Sequence, residues 1–167
     1  DGISPERILL LTFTRKAANE MTKRATTLLD DRCRGIQGGT FHAFAQSILK
    51  VHAPKLGFST QFTIADRGDS EDILSLIRKN LGLNKLDKRF PQKKALSAII
   101  GKVRNTASSI SAILNKDYPQ FSVYEREIET IMIQYAIQKK TMNVMDYDDL
   151  LLLLLDLLKT NEETAKF

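Results

Sequence analysis

Residues 8–21, ILLLTFTRKAANEM, constrain the fold more than any other stretch. The uninterrupted apolar and β-prone run over 8–13 reads as a strand buried on both faces, the pattern of a parallel strand with helices above and below it. The period then changes without a loop. Thr14 is placed to cap a helix, and from Arg15 the apolar residues Ala17, Ala18, Met21, Ala25, Leu28 and Leu29 fall along one helical face. After the turn-rich DDRCRG the arrangement repeats. IQGGTFH reads as a short strand, a glycine pair and a second hydroxyl–aromatic step, followed by a helix with Phe44, Ala45, Ile48 and Leu49 on one side. Strand, helix, strand, helix within the first fifty residues implies a parallel α/β unit.

Beyond Pro54 the character changes. QFTIAD reads as a short strand ending on Asp66, an N-cap with Asp69 three residues on, close to a capping box. The helix after it carries Ile73, Leu74, Ile77 and Leu81 and is stopped by Gly82. NKLDKRFP is a basic connector. Further helices are expected over 92–107, with Ala95, Leu96, Ile99, Ile100 and Val103 together, then in a shorter piece ending before Tyr118, and over 122–140, with Val123, Ile128, Ile131, Met132 and Tyr135. This all-helical middle predicts a separate lobe. In the closing NVMDYDDLLLLLLDLL, Asp146 caps a last helix, and Asp148 and Asp149 in its first turn complement the macrodipole. A helix that is leucine nearly all round demands burial on every side. The chain ends shortly after it, so the sequence is expected to be a piece of a longer protein.

With 43% hydrophobic and 27% charged residues in 167, the chain has the composition of a globular protein with a proper core, not of a disordered one. A single cysteine, Cys33, excludes an internal disulfide, points to an intracellular, cytoplasmic setting, and reads as a tolerated loop thiol. No signal peptide is visible, and six consecutive leucines flanked by aspartates are too short to span a bilayer, so a soluble protein without a membrane partner is expected. Charge is unevenly spread. Residues 1–55 carry nine Lys/Arg against five Asp/Glu, residues 56–110 ten against five, and residues 111–167 six against ten. A basic face of this kind suits a nucleic-acid partner. Arg78, Lys79, Lys93, Lys94, Lys102 and Arg104 of the middle segment read mainly as solvated helix faces, with duplex DNA as the alternative.

Two segments share a chemistry: TFTRK at 12–16 and GGTFH at 38–42. Each lies where a parallel strand gives way to a helix, and ligands of open α/β sheets bind at that edge. Each offers hydroxyls, an aromatic ring and free helix N–H groups, which suit phosphates and unpaired bases. Arg15, Lys16 and His42 add cationic or hydrogen-bonding groups. The competing assignment is that both rings complete the core. Periodicity alone favours that for Phe41 and leaves Phe13 evenly balanced. His42 by itself reads as a helix-start hydrogen-bonder and His52 as structural. No metal-ligand spacing and no Ser/His/Asp arrangement emerges. The acids of DYDDL are explained by capping. GIQGG and IIGKVRN lack the G-x-x-x-x-G-K-[ST] order of a phosphate loop, and Gly101 and Lys102 sit inside a helical apolar pattern.

LLLTFTRKAANEMTKR resembles motif Ia of the UvrD/Rep/PcrA-type superfamily 1 DNA helicases, roughly T-F-T-N-K-A-A-x-E-M-x-x-R. GGTFHAFAQSIL resembles the next motif, T-F-H-[SA] before an apolar helix. FTIADRGDSEDIL is similar to the strand–Asp–helix leading into the family's helical insertion, and MDYDDLLLLLLDLL to the [DN]-[FY]-x-D-L-L helix by which the chain returns. The four occur in family order over essentially the whole chain. The resemblance implies an α/β fold: part of a P-loop NTPase (RecA-like) parallel sheet over 1–55, a mostly α-helical inserted subdomain over 56–142, and a return to the RecA-like domain over 143–167. It implies an ATP- and Mg²⁺-dependent translocase unwinding duplexes 3′ to 5′, with single-stranded DNA, a duplex junction and the remaining helicase domains of the same chain as partners.

By the same match Thr12, Phe13, Thr14, Lys16, Thr40, Phe41 and His42 are candidate contacts to single-stranded DNA. Arg15 stands where the family has Asn, replacing an amide suited to base or sugar by a cation suited to phosphate. A recombination helicase–nuclease is a close variant. A non-enzymatic basic binding module on a degenerate helicase scaffold is the alternative from another class. The family's phosphate loop precedes motif Ia and its D-E-x-Q-D segment follows the leucine helix, so no bound ATP, Mg²⁺ or catalytic residue is expected within these 167 residues. The purified 167-residue chain is accordingly expected to hydrolyse no ATP. DNA-stimulated phosphate release above background in a coupled assay would refute this.

Overall fold

Every strand in the computed structural model runs directly, or within two residues, into a helix. The structure describes residues 3–28, 33, 35–83, 89–161 and 164. β1 (Leu9–Thr12) leads to α1 (Arg15–Leu28) and β2 (Gln37–Thr40) to α2 (Phe41–His52). β3 (Thr63–Ala65) leads to α3 (Arg67–Asn80), followed by α4 (Lys93–Thr106), α5 (Ile110–Asp117) and α6 (Glu125–Thr141). β4 (Val144–Asp146) then leads to α7 (Tyr147–Thr160). Short 3₁₀ turns lie at Pro5–Arg7, Ala53–Leu56 and Pro119–Tyr124. The chain is thus α/β, dominated by helix, with two small parallel sheets among the described residues.

β1 pairs with β2 in parallel, Leu9 opposite Gln37 through Thr12 opposite Thr40. The expected glycine pair after the second strand lies inside it: Gly38 and Gly39 oppose Leu10 and Leu11. The reason is steric. A Cβ on Gly38 would stand 2.8 Å from Thr22 Oγ1, so the strand approaches α1 more closely than any other residue allows. β1 itself is shorter than expected and not buried on both faces, because the described sheet gives it one neighbour and Leu9 stays exposed. On α1, Ala18 is buried whereas Met21 and Leu28 are exposed; Leu29, most of DDRCRG and the centre of NKLDKRFP lie outside the described residues. Cys33 is buried, not a surface thiol.

In the second sheet β3 is the short strand expected from QFTIAD, whereas β4 has no counterpart in the sequence reading. β3 pairs in parallel with β4, Thr63 opposite Val144 and Ala65 opposite Asp146. Three residues ending on an aspartate are too few to show a period of two. Asn143 turns the chain into β4 in the left-handed region (φ 53°), and its side chain accepts the Ser59 N–H at 2.8 Å and donates to Ser59 Oγ at 2.6 Å. The helix expected over 122–140 starts at Glu125, behind the 3₁₀ turn, and this leaves Val123 on the surface. α3 and α7 each start on a complete capping box, Asp66 with Asp69 and Asp146 with Asp149.

Two apolar clusters organise the packing. One joins α3, α4, α5 and α6 through Leu74, Leu96, Ile99, Leu114, Ile128 and Ile131. The other joins α2, Phe58, Phe62, β4 and α7 through Ala45, Leu49, Met145, Leu150 and Leu157. α7 is not enclosed all round as its composition demanded. Leu150 and Leu157, two turns apart, are buried, while Leu151, Leu155 and Leu158 remain exposed because α2 covers one side.

Between the clusters lies an ionic knot. Lys139 Nζ, 3% exposed, donates to Asp146 Oδ2 at 2.6 Å and to Asp149 Oδ2 at 2.5 Å. Arg104 reaches Asp146 Oδ2 at 3.3 Å and also pairs with Asp149 Oδ1, and the Tyr135 hydroxyl donates to Asp146 Oδ2 at 3.0 Å. Arg104 is therefore not on a solvated helix face, as the sequence suggested. It lies only three residues beyond Gly101, where α4 passes α7. Removing one member of such a cluster strands a buried charge. Lys139→Met is expected to lower stability by about 3–5 kcal/mol, measured by urea denaturation, and a loss within error of zero would show that the knot contributes nothing.

Candidate nucleic-acid interface

The register of the first sheet brings the two hydroxyl–aromatic steps together. Thr12 and Thr40 are paired, so both strands end at one edge, and Phe13 and Phe41 follow side by side. Their ring centroids are 5.5 Å apart, inclined by 40°. Phe13 is 91% exposed and Phe41 39%, so neither ring belongs to an apolar core of the described residues. Thr14 Oγ1 accepts the Ala17 N–H at 3.1 Å and Thr40 Oγ1 accepts the Ala43 N–H at 3.2 Å, so each hydroxyl caps its helix while keeping a proton to donate.

The electrostatics of this edge differ from those of the other sheet. α3 and α7, which follow β3 and β4, carry acids in their first turns; α1 and α2 carry none. α1 instead begins with Arg15 and Lys16, both exposed and without an ion-pair partner among the described residues. Cations at a helix N-terminus oppose the macrodipole and weaken the isolated helix by a few tenths of a kcal/mol, roughly 0.3–1 each. The arrangement leaves a concentrated positive potential beside two exposed rings.

His42 is half-buried, and its ring meets Tyr147 edge-on at 5.7 Å. Tyr147 is 55% exposed and opens α7 at the carboxyl end of β4. It was not among the residues singled out from sequence. It repeats the strand–aromatic–helix order of Phe13 and Phe41, but β4 was too short to be seen. The structure thus brings Phe13 to Phe41 and His42 to Tyr147, two ring contacts linked by the neighbouring residues Phe41 and His42 at the start of α2. Of the basic residues in the middle segment, Lys93 pairs with Asp72 at 2.6 Å, Lys102 with Asp117 at 2.9 Å, and Arg78 donates to Gln92 at 2.8 Å.

Below Tyr147 sits the knot. Burial alone would raise the Asp146 carboxyl, but the Lys139 ammonium, in contact and by charge, and Arg104 beyond it outweigh burial and hold it below the usual carboxylate range. Burial and the Asp146 charge push the Tyr135 hydroxyl well up. For Arg104 burial works against the charge, and Asp149 and Asp146 more than compensate, so the guanidinium is raised.

The family model for the UvrD/REP helicase N-terminal domain matches residues 1–167, and the chain belongs to that family. It is 26% identical over 165 residues to the ATP-dependent DNA helicase PcrA of Staphylococcus aureus, covering 99% of this chain and 22% of the relative. It is 30% identical to PcrA of Leuconostoc citreum (95% and 21%) and 31% identical to a probable DNA helicase II homolog of Mycoplasma capricolum (97% and 22%). The chain spans about a fifth of the length of these relatives. Gly101 and Lys102 lie within α4, and Lys102 is paired with Asp117, so this Gly-Lys pair forms no phosphate loop. Among the described residues no helix is long and apolar enough to cross a membrane.

The depressed Asp146 carboxyl sets the sign of an acid effect. Its contribution is complete above the unfolded carboxylate value, about pH 4, and is lost as pH falls through the lower folded value. The melting temperature should therefore fall from pH 5 to pH 3, and fall less in Asp146→Asn. Parallel curves for the two proteins would assign the acid sensitivity elsewhere.

Proposed function

We propose that this chain is the part of an ATP-dependent, 3′-to-5′ DNA helicase that holds single-stranded DNA on the first RecA-like domain and carries that domain's helical insertion. ATP and Mg²⁺ act in the whole protein, on residues beyond those described. The proposed division is 1–55, 56–142 and 143–167; the two apolar clusters favour a helical unit of α3–α6 set apart from α2, β4 and α7, although Phe58, Phe62 and β3 of the middle segment pack or pair with the latter.

The observation that carries the proposal is the exposed Phe13–Phe41 pair at the coincident ends of β1 and β2. Bases stack on such rings whatever their sequence, because every base has a π-face. The α1 and α2 N-termini with Arg15 and Lys16 draw the phosphates, and Thr12, Thr14, Thr40 and His42 offer hydrogen bonds along the strand's path. Arg15 in the place of the family's Asn shifts this edge from base or sugar contact toward phosphate contact. His42 and Tyr147 extend the row toward the second sheet.

In the protein at its natural length, Phe13→Ala should weaken binding of oligothymidylate by about 1–3 kcal/mol while leaving the salt dependence unchanged. Lys16→Gln should instead reduce the slope of log K against log salt by about one phosphate's share. Fluorescence anisotropy titrations over a salt series measure both. Unchanged affinity in Phe13→Ala and Phe41→Ala would sink the assignment of this edge to DNA.

A further inference from the structure

The capping box at the start of α7 is more heavily built than capping requires. At α3 the same box, Asp66 with Asp69, is exposed and holds no buried cation. At α7 the box consists of the Asp149 N–H donating to Asp146 Oδ1 at 2.7 Å and the Asp146 N–H donating to Asp149 Oδ2 at 2.9 Å. Its carboxylates are then gripped again by Arg104 of α4 and by Lys139 and Tyr135 of α6. Burying two cations against two carboxylates is a poor source of stability compared with apolar packing, and its best-attested use is to specify one arrangement. What the box specifies here is Tyr147, the residue next to Asp146 and the first of α7, whose ring stands against His42.

We propose that Arg104 and Lys139 are positioning residues that set Tyr147 relative to Phe13, Phe41 and His42, so that the placement of the helical insertion and the stacking of DNA are coupled through the start of α7. This rests on the DNA reading of the aromatic row. α4 and α6 belong to the apolar cluster of the middle segment, whereas α7 and α2 belong to the other cluster. The knot is thus the polar link by which a shift of the insertion reaches the row. Arg104 is the member to test, since its side chain is 23% exposed and its loss disturbs the cores least.

The test is a double-mutant cycle in the protein at its natural length, using oligothymidylate carrying a single 2-aminopurine. Tyr147→Ala should weaken binding by about 5- to 100-fold. Arg104→Gln should weaken it by about 3- to 10-fold, with reduced 2-aminopurine quenching and an unchanged salt slope, and Tyr147→Ala should then cost correspondingly less in that background. Arg104→Lys keeps the charge balance but cannot span both carboxylates, and should show the same non-additivity at smaller size. It decides the matter if Arg104→Gln fails to fold. Additive losses, or a salt slope reduced by one phosphate's share, would make Arg104 an independent or direct DNA contact and overturn the proposal while the aromatic row stands. An inert Tyr147→Ala with a damaging Phe13→Ala would overturn the proposal but leave the β1–β2 edge as the DNA site. If both were inert, the DNA reading would fall as well.

Discussion

A parallel strand must leave its sheet at the carboxyl end, and in this chain each described strand leaves it straight into a helix. Everything at the candidate interface depends on that constraint. In-register pairing of β1 with β2 puts two helix starts side by side, and pairing of β3 with β4 does the same for α3 and α7. Helix starts present N–H groups without intrahelical partners and the positive end of a dipole. The two sheets treat this potential in opposite ways. At α3 and α7, aspartates satisfy the N–H groups and neutralise the dipole. At α1 and α2, threonine hydroxyls satisfy N–H groups without supplying charge, and α1 adds two cations. One edge is closed electrostatically and the other keeps its positive potential.

The same division governs where buried polarity is tolerated. At the closed edge the aspartates can be buried only because Lys139 and Arg104 come from the middle segment to meet them. Those cations cross a sequence gap of 42 and 45 residues for Arg104 but only 7 and 10 for Lys139. The knot therefore requires α4, α6 and α7 to be brought together. Apolar contacts hold the helices within each cluster, and the knot is the polar link between the two.

Most of the helices were legible in the amino-acid order because their apolar faces repeat over several turns, as at Leu96, Ile99 and Ile100 in α4, and because caps such as Asp66, Thr14 and Gly82 are local. The eight proposed DNA-facing residues rest on the repeated hydroxyl–aromatic step together with the resemblance to motif Ia and the T-F-H motif, and the parallel register is what puts both steps at one sheet edge. Legibility failed where the deciding term was not local. β4 is three residues long and exists because β3 pairs with it. Gly38 and Gly39 looked like a break and are instead strand, and at Gly38 a side chain would run into Thr22 of α1. α7 looked uniformly apolar, yet only α2 and its neighbours decide which leucines are buried. Tyr147 and Arg104 were missed together, because Tyr147 owes its meaning to His42 and Arg104 to two aspartates more than forty positions away.

Arg15 shows how local cost and remote function are reconciled in this fold. A cation at the first position of a helix is unfavourable, an adjacent lysine adds like-charge repulsion, and a phenylalanine 91% exposed gains nothing from burial. Each choice weakens the free chain slightly, and all of them fall within residues 13–16. Under the proposed function, a single-stranded polyanion would reverse every one of them at once: phosphate would offset the cations and the helix dipole, and a base would cover the ring. On that reading these terms cost the free chain a little stability and would be recovered as affinity when the ligand binds. The scaffold that tolerates them is the strand pair with its threonine caps, which satisfies helix N–H groups without any charge of its own.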